Sequence, residues 1–390
     1  MAMGQPALDQ QLLSAVAAAV QRQDAGGALE LVRRAEAAGP LASPLLMYKA
    51  LALRLRGDFG AAVDALDAVL AQDPYDFVAL ISKGALLERL DQPKHAAQVY
   101  KHALTIAPPR DKLPPSLRAP VERAETVVRQ HALALQAHLR GSLAATRAAF
   151  PDTPLDRFDE GLDIFCGLKQ PYVQQPILMT YPRLPAIPFY DRELFPWIAN
   201  LEAATDEIRR ELEHLLEHAA EDFEPYIAYP PGAPVNQWGN LNHSRRWSAI
   251  FLWRDGVRQD AVCERCPSTL KSLEAVPLAY QPGFAPTVMF SALDARTHIP
   301  PHTGSANTRL LVHLPLVLPG SARFRVGNVE REWRLGEAWV FDDTIEHEAW
   351  NDADSLRVIL IVDIWNPHLS EAERTLISEM MTAKNEFQRN

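Results

Sequence analysis

The chain has 390 residues, 47% of them hydrophobic and 23% charged, the make-up of a globular protein with room for two domains. A formal net charge of −10 leaves no basic excess to neutralise phosphates, which excludes nucleic acid as a general partner. No apolar run is long enough for a membrane span, and Met1 to Gln11 lacks the basic-then-apolar order of a secretory leader, so a cytoplasmic location is expected.

The N-terminal third repeats. Pro40, Pro74 and Pro108 stand 34 residues apart, as do Ala28, Ala62 and Ala96. Leu12, Leu46 and Leu80 keep that phase, and so do Val32, Leu66 and Tyr100. Small alanines let paired helices approach closely, and a proline stops the second helix because it lacks an amide donor and clashes with the preceding turn. The pattern resembles three tetratricopeptide repeats, at about 9–42, 43–76 and 77–110. The third carries Gly84 where the others have Val16 and Ala50. Solenoids of this kind present a concave face to peptides or proteins. Residues 114–148 continue as helix, giving a helical domain over 1–150.

Clustered prolines (Pro171, Pro176, Pro182, Pro185, Pro188) mark an extended connection, with a linker at 151–180 and a second domain at 181–390. A helix is expected over 191–220, with Asp191 as cap and Leu201, Ile208, Leu212 and Leu215 on one face. Short β-forming runs follow at 247–253, 287–293, 309–317, 322–326, 338–341 and 356–365, the pattern of a sandwich or barrel. A closing helix is expected over 370–384, capped by Ser370 with Glu371 and Glu373 in its first turn. Cys263 and Cys266 form a lone CxxC with no second pair, read as two free thiols; with Cys166 they fit a reducing compartment.

Two segments carry chemistry. One runs from His298-Ile-Pro-Pro-His302-Thr-Gly304 to Arg309; the other is Phe341-Asp-Asp-Thr-Ile-Glu-His347, with Arg357 ten residues later. Non-haem iron oxygenases hold Fe(II) on two histidines and often a carboxylate, leaving positions open for co-substrate and oxygen. His302 and His347 have that order, and the planar fork of Arg357 suits a co-substrate carboxylate. The acidic ligand usual two residues after the first histidine is replaced by Gly304. His298 is read as support for the metal loop, Asp342 and Asp343 as turn residues, and Trp350 and Trp365 as core. Arg323, Arg325, Arg331 and Arg334 read as a solvated face.

Residues 180–370 resemble the aspartyl/asparaginyl β-hydroxylases. The matching text is Trp247-Ser, Phe251-Leu-Trp253, Phe290-Ser291, Thr297 to Gly304, Asn307, Arg309, His313-Leu, Gly336, Phe341-Asp-Asp, Glu346-His-Glu, Trp350, Arg357 and Asp363-Ile-Trp-Asn-Pro. The resemblance implies a double-stranded β-helix of the jelly-roll, cupin-like kind, and hence an α+β multidomain chain with a helical solenoid in front. It also implies glycine in place of the acidic ligand, His302 and His347 on iron, and Arg357 with Ser291 on the distal carboxylate of 2-oxoglutarate. His313 would meet the carboxylate nearer the metal, Trp247 would line the pocket, and Arg309 would share in binding. Where the family often has a second arginine, two residues after Arg309, this chain has Leu311. The implied activity is that of an Fe(II)- and 2-oxoglutarate-dependent dioxygenase. It would use O2 to hydroxylate a peptide or protein side chain, Asp or Asn at Cβ, releasing succinate and CO2, with the repeats recruiting the substrate. The alternatives are a hydroxylase of small molecules or lipids, a halogenase with halide beside Gly304, and a binding protein working through its repeats with an inactive sandwich.

Overall fold

The computed structural model describes residues 5–389; the first four residues of the expected leaderless N-terminus lie outside it. The chain divides into two compact units, Met1–Gln170 and Pro171–Asn390. Among the described residues no helix is long and apolar enough to cross a membrane.

The first unit is helical: α1 (Gln5–Gln21), α2 (Ala25–Ala38), α3 (Ser43–Arg56), α4 (Phe59–Gln72), α5 (Phe77–Arg89), α6 (Pro93–Thr105), the long α7 (Pro115–Arg147) and α8 (Asp156–Cys166). The last of these is a helix inside the stretch read as linker. Short turns force successive helices into hairpins, and residues in repeat phase land in equivalent places. Ala28, Ala62 and Ala96 are all fully buried at the crossings. The third repeat trades volume between two positions. Tyr100 stands where Val32 and Leu66 do, and its ring fills the space that a Cβ on Gly84 would occupy. The Tyr100 hydroxyl donates to Glu88 at 2.8 Å, so the ring cannot easily swing away. Gly84→Ala gains about 1 kcal/mol of helix propensity but overpacks a pinned ring, at about 1–3 kcal/mol. Net destabilisation is expected in chemical denaturation. Adding Tyr100→Leu, the pairing of the second repeat, is expected to restore the loss.

The second unit opens with α9 (Ile198–Ala203) and α10 (Thr205–His218). The single helix expected over 191–220 is therefore two, and Asp191 makes no side-chain cap. Pro196 keeps the preceding turn out of the helix. Leu201, Ile208, Leu212 and Leu215 are fully buried. Eleven strands follow: β1 (Glu224–Pro225), β2 (Trp247–Arg254), β3 (Val257–Arg258), β4 (Val288–Leu293), β5 (Thr297–His302), β6 (Arg309–Val317), β7 (Ala322–Val326), β8 (Val329–Glu332), β9 (Trp339–Phe341), β10 (His347–Asn351) and β11 (Arg357–Trp365). Between β3 and β4 lie α11 (Asp260–Cys263) and α12 (Pro267–Leu273), and α13 (Glu371–Arg389) closes the described chain. Ser370 and Glu373 cap α13 reciprocally, each side chain meeting the other's backbone amide.

The strands correct the expected architecture. They do not close into a double-stranded β-helix or jelly-roll barrel. They form two open antiparallel sheets: a seven-stranded one ordered β1-β2-β4-β11-β6-β9, with β3 on β2, and a four-stranded one ordered β5-β10-β7-β8. No ladder among the described strands joins the two. The edge strands supply a physical reason. β5 carries Pro300 and Pro301, which have no amide to donate, and β1 is two residues ending in Pro225. β8 is exposed and charged, and β9 is only three residues long.

Period-two alternation divides the large sheet into two faces. Val358, Leu360, Val362 and Ile364 of β11 pack with Leu310, Val312 and Leu314 of β6 against the helices. Arg357, Ile359, Ile361 and Asp363 point the other way, toward the small sheet. A second apolar cluster, including Met289, Leu293, Ile359, Phe324, Val326 and Ala349, fills the space between the sheets. The candidate site residues lie within that layer.

Candidate active site

The two sheets enclose a cavity of about 230 Å³. All seven residues expected at the site line it: Trp247, Ser291, His302, Arg309, His313, His347 and Arg357. The two histidines come from the small sheet, on adjacent strands β5 and β10, where they are paired in register. One more residue lies between Ile299 and His302 on β5 than between the partner positions on β10. This bulge, at Pro300–Pro301, resets the alternation so that Ile299 and His302 both face the cavity. The imidazole centroids are 4.1 Å apart.

Both rings are held in the same way. Nδ1 of His302 meets the Pro300 carbonyl at 2.8 Å, and Nδ1 of His347 meets the Ile345 carbonyl at 3.0 Å. A carbonyl only accepts, so Nδ1 carries the proton in each ring and Nε2 keeps its lone pair. Burial pushes His347 down to about 4. Burial, and then the nearby His347, hold His302 well below the ordinary histidine value. Both imidazoles are therefore neutral near pH 7, the form that binds metal. Among the described residues no group of three or more His, Cys, Asp or Glu side chains is placed to hold a metal ion, so protein donors stop at this pair.

The large sheet supplies the opposite wall. Arg357 is 1% exposed and has no acidic partner among the described residues; its Nε and Nη1 are unpaired. Its guanidinium lies 5.1 Å from the Trp333 ring, and burial alone pushes its pKa down to about 9. His313, on β6 opposite Ile361 of β11, is buried with neither ring nitrogen hydrogen-bonded. Burial, then the charge of Arg357, depress its pKa strongly. Ser291 Oγ accepts the Trp247 indole N–H at 3.1 Å, which leaves its own hydroxyl proton to donate. Buried donors without partners are rare in native proteins. A buried cation, a serine and a histidine left open toward one cavity have the chemistry of a carboxylate site.

Arg309 is differently placed. It bonds Asp343 and Asp363, each at 3.1 Å, with only its Nε unpaired. Burial opposes its charge, but the two carboxylates outweigh burial and raise its pKa. Asp343 explains Gly304, because a Cβ on Gly304 would overlap the Asp343 carboxylate. The side of the site where the usual acidic ligand would project is thus filled by a carboxylate from another segment.

The sequence reading missed Asp343, Asp363 and Trp333 as parts of the site. Asp342 is a turn residue, accepting from the Thr344 amide and hydroxyl, but its neighbour Asp343 turns inward. Asp363 stands in phase with Arg357 on β11, so strict alternation from that arginine is the signal that would have found it. His298 does not contact His302. It stacks on Trp350 at 4.9 Å and pairs with Glu348 at 2.9 Å on the outer face. Trp350 is half-buried there with Arg323 above it, not in the core, whereas Trp365 is buried. Arg323 and Arg325 are paired with Asp352, Glu330, Glu346 and Glu348. Cys166, Cys263 and Cys266 are free and buried, and burial pushes the Cys266 thiol up to about 12, a poor metal donor.

The second unit's similarity is to Fe(II)/2-oxoglutarate hydroxylase-domain proteins, a class defined at superfamily level. Residues 202–367 match the Aspartyl/Asparaginyl beta-hydroxylase family, and through this domain the chain is homologous to that family. It is 33% identical to the human aspartyl/asparaginyl beta-hydroxylase over 182 residues, which is 46% of this chain and 24% of that protein. It is 34% identical to the ornithine lipid ester-linked acyl 2-hydroxylase of Rhizobium tropici over 198 residues, 50% of this chain and 66% of that one. The Sgt2 tetratricopeptide domain from Aspergillus fumigatus aligns with 37% of this chain and 86% of its own at 18% identity, with a TM-score of 0.28.

Proposed function

We propose that residues 181–390 form an Fe(II)- and 2-oxoglutarate-dependent hydroxylase domain, served by a helical repeat domain over 1–150. His302 and His347 would hold the iron, and Arg357 with Ser291 would hold the distal carboxylate of 2-oxoglutarate. His313 would meet the carboxylate nearer the metal. The observation that carries this reading is Arg357, a wholly buried cation with open donors and no anion. Such a charge costs several kcal/mol to bury alone, and a bound dicarboxylate removes that cost. The neutral Nε2 pair opposite suits a divalent cation with positions left for oxygen ligands. When bound, iron with 2-oxoglutarate and O2 supplies the oxidation: one oxygen atom enters a C–H bond of the substrate, the other enters succinate, and CO2 leaves.

Hydroxylation is favoured over halogenation. The Asp343 carboxylate stands beside Gly304, and a buried carboxylate repels a halide ion. The reading as an inactive binding scaffold leaves the unpaired Arg357 without a purpose. The repeats would bring a partner or substrate to the domain, as solenoids bind peptides. The relatives' names offer two substrate kinds, an Asp or Asn side chain and a lipid acyl chain.

The test is metal-dependent co-substrate binding. 2-Oxoglutarate should bind one site per chain by calorimetry in the presence of Fe(II) without oxygen, and His302→Ala with His347→Ala should remove it. No binding by the wild type would refute the assignment. The proton competition is also specific. Because both imidazoles titrate far below about 6.5, protons displace metal only as pH falls toward the folded value, about 4 for His347. Cobalt affinity is expected to stay level from about pH 8 to about 6 and to drop below about 5. A fall beginning near 6.5 would mean that the two rings are not desolvated.

A further inference from the structure

Charge at the far end of the cavity bears on what the domain oxidises; this step rests on the oxygenase reading. The cavity wall contains two arginines, Arg309 and Arg357, and two aspartates, Asp343 and Asp363. Arg357 begins β11 and lines the cavity together with Ser291 and His313. Arg309 lies opposite Trp365, at the other end of that strand. If the co-substrate occupies Arg357, the remaining end holds one guanidinium already bonded to two carboxylates. Its formal charge is −1, and an incoming carboxylate would be repelled. Between the two ends the wall is apolar. Leu311 is paired with Asp363 across the ladder, and Met289 with Ile361. All three apolar side chains face the cavity, as does Ile299 from the opposite sheet. A side chain two residues after Arg309 shares its face of β6, so an arginine there could bind a substrate carboxylate; Leu311 cannot.

We infer that the group hydroxylated by this protein is an uncharged aliphatic chain, not a carboxylate-bearing side chain. Two atoms at that end lack a partner, the Arg309 Nε donor and the Asp343 Oδ1 acceptor. The Arg309 Nε is buried and unpaired, and a neutral carbonyl, such as an amide or ester oxygen, would satisfy it without adding charge. Aliphatic carbon of this kind occurs in acyl amides and esters and in apolar peptide side chains.

The experiment measures equilibrium binding to the full chain loaded with Fe(II) and 2-oxoglutarate under nitrogen. Three probes are compared: an octanoyl amide, a capped peptide with a central Leu, and the same peptide with Asp in its place. At least one aliphatic probe is expected to bind tenfold or more tighter than the Asp peptide, and the better of the two identifies the source of the chain. In Leu311→Arg the preference should narrow or reverse toward Asp. Equal or tighter wild-type binding of the Asp peptide overturns the inference. The initial 2-oxoglutarate titration keeps the two claims apart: its failure refutes the oxygenase reading, whereas its success with an Asp preference refutes only this one.

Discussion

Arg357→Met is expected to make the ligand-free protein more stable while abolishing its response to 2-oxoglutarate. Among the described residues Arg357 is the largest fully buried side chain, and none of them balances its charge with an ion pair. Methionine keeps an unbranched apolar stem against Trp333 and removes the ion. An uncompensated buried charge costs on the order of 3 kcal/mol, so replacing it should raise the melting temperature of the second unit by several degrees. The wild type should gain about 2.7 kcal/mol at a co-substrate concentration one hundred times Kd. The variant should gain nothing. Thermal denaturation with and without 2-oxoglutarate and metal reads both effects. A variant that is less stable and still responds would show that Arg357 has a different role.

Gly304→Ala is expected to be far more damaging than its single methyl group suggests. The added Cβ overlaps the Asp343 carboxylate, which is short, buried and ion-paired, and so has little freedom to yield. Moving it breaks the Arg309–Asp343 bond and uncovers charge, at about 3–5 kcal/mol for a buried pair. Metal affinity should fall as well, because the Gly304 amide donates to the Asp343 carbonyl at 2.6 Å just ahead of His347. Gly304→Asp, which restores the usual acidic ligand in sequence, should fail for the same steric reason. The coupling is testable by a double-mutant cycle. In an Asp343→Ala background the cost of Gly304→Ala should shrink by 2 kcal/mol or more, as measured by denaturation. Additive costs would mean that the two positions do not share this space.

These expectations rest on parts of the structure that differ in how legible they were. The helical repeats were readable because a 34-residue period puts Ala28, Ala62 and Ala96 at equivalent crossings, and burial there is a local consequence of the pattern. His302, His347 and Arg357 were readable as a set because their order and spacing singled them out together, and all three line one cavity. How His302 reaches the cavity was not readable: it depends on a bulge at Pro300–Pro301, and a bulge shows only against the partner strand. Sheet closure was not legible either. Whether strands close into a barrel depends on the edges, and here prolines, charge and short strands leave two open sheets. Asp343 was hidden for a further reason. Two adjacent aspartates look alike in sequence, yet Asp342 closes a turn while Asp343 pairs with Arg309, and the tertiary fold alone separates them.

The most direct test of the central claim is succinate formation. Metal-free protein would be given Fe(II), 2-oxoglutarate and air, with His302→Ala and His347→Ala assayed beside it. The proposed chemistry requires succinate that depends on Fe(II) and falls at least a hundredfold in each variant, increasing when an oxidisable substrate is present. Succinate formed equally by the wild type and both variants, or formed without iron, would contradict it.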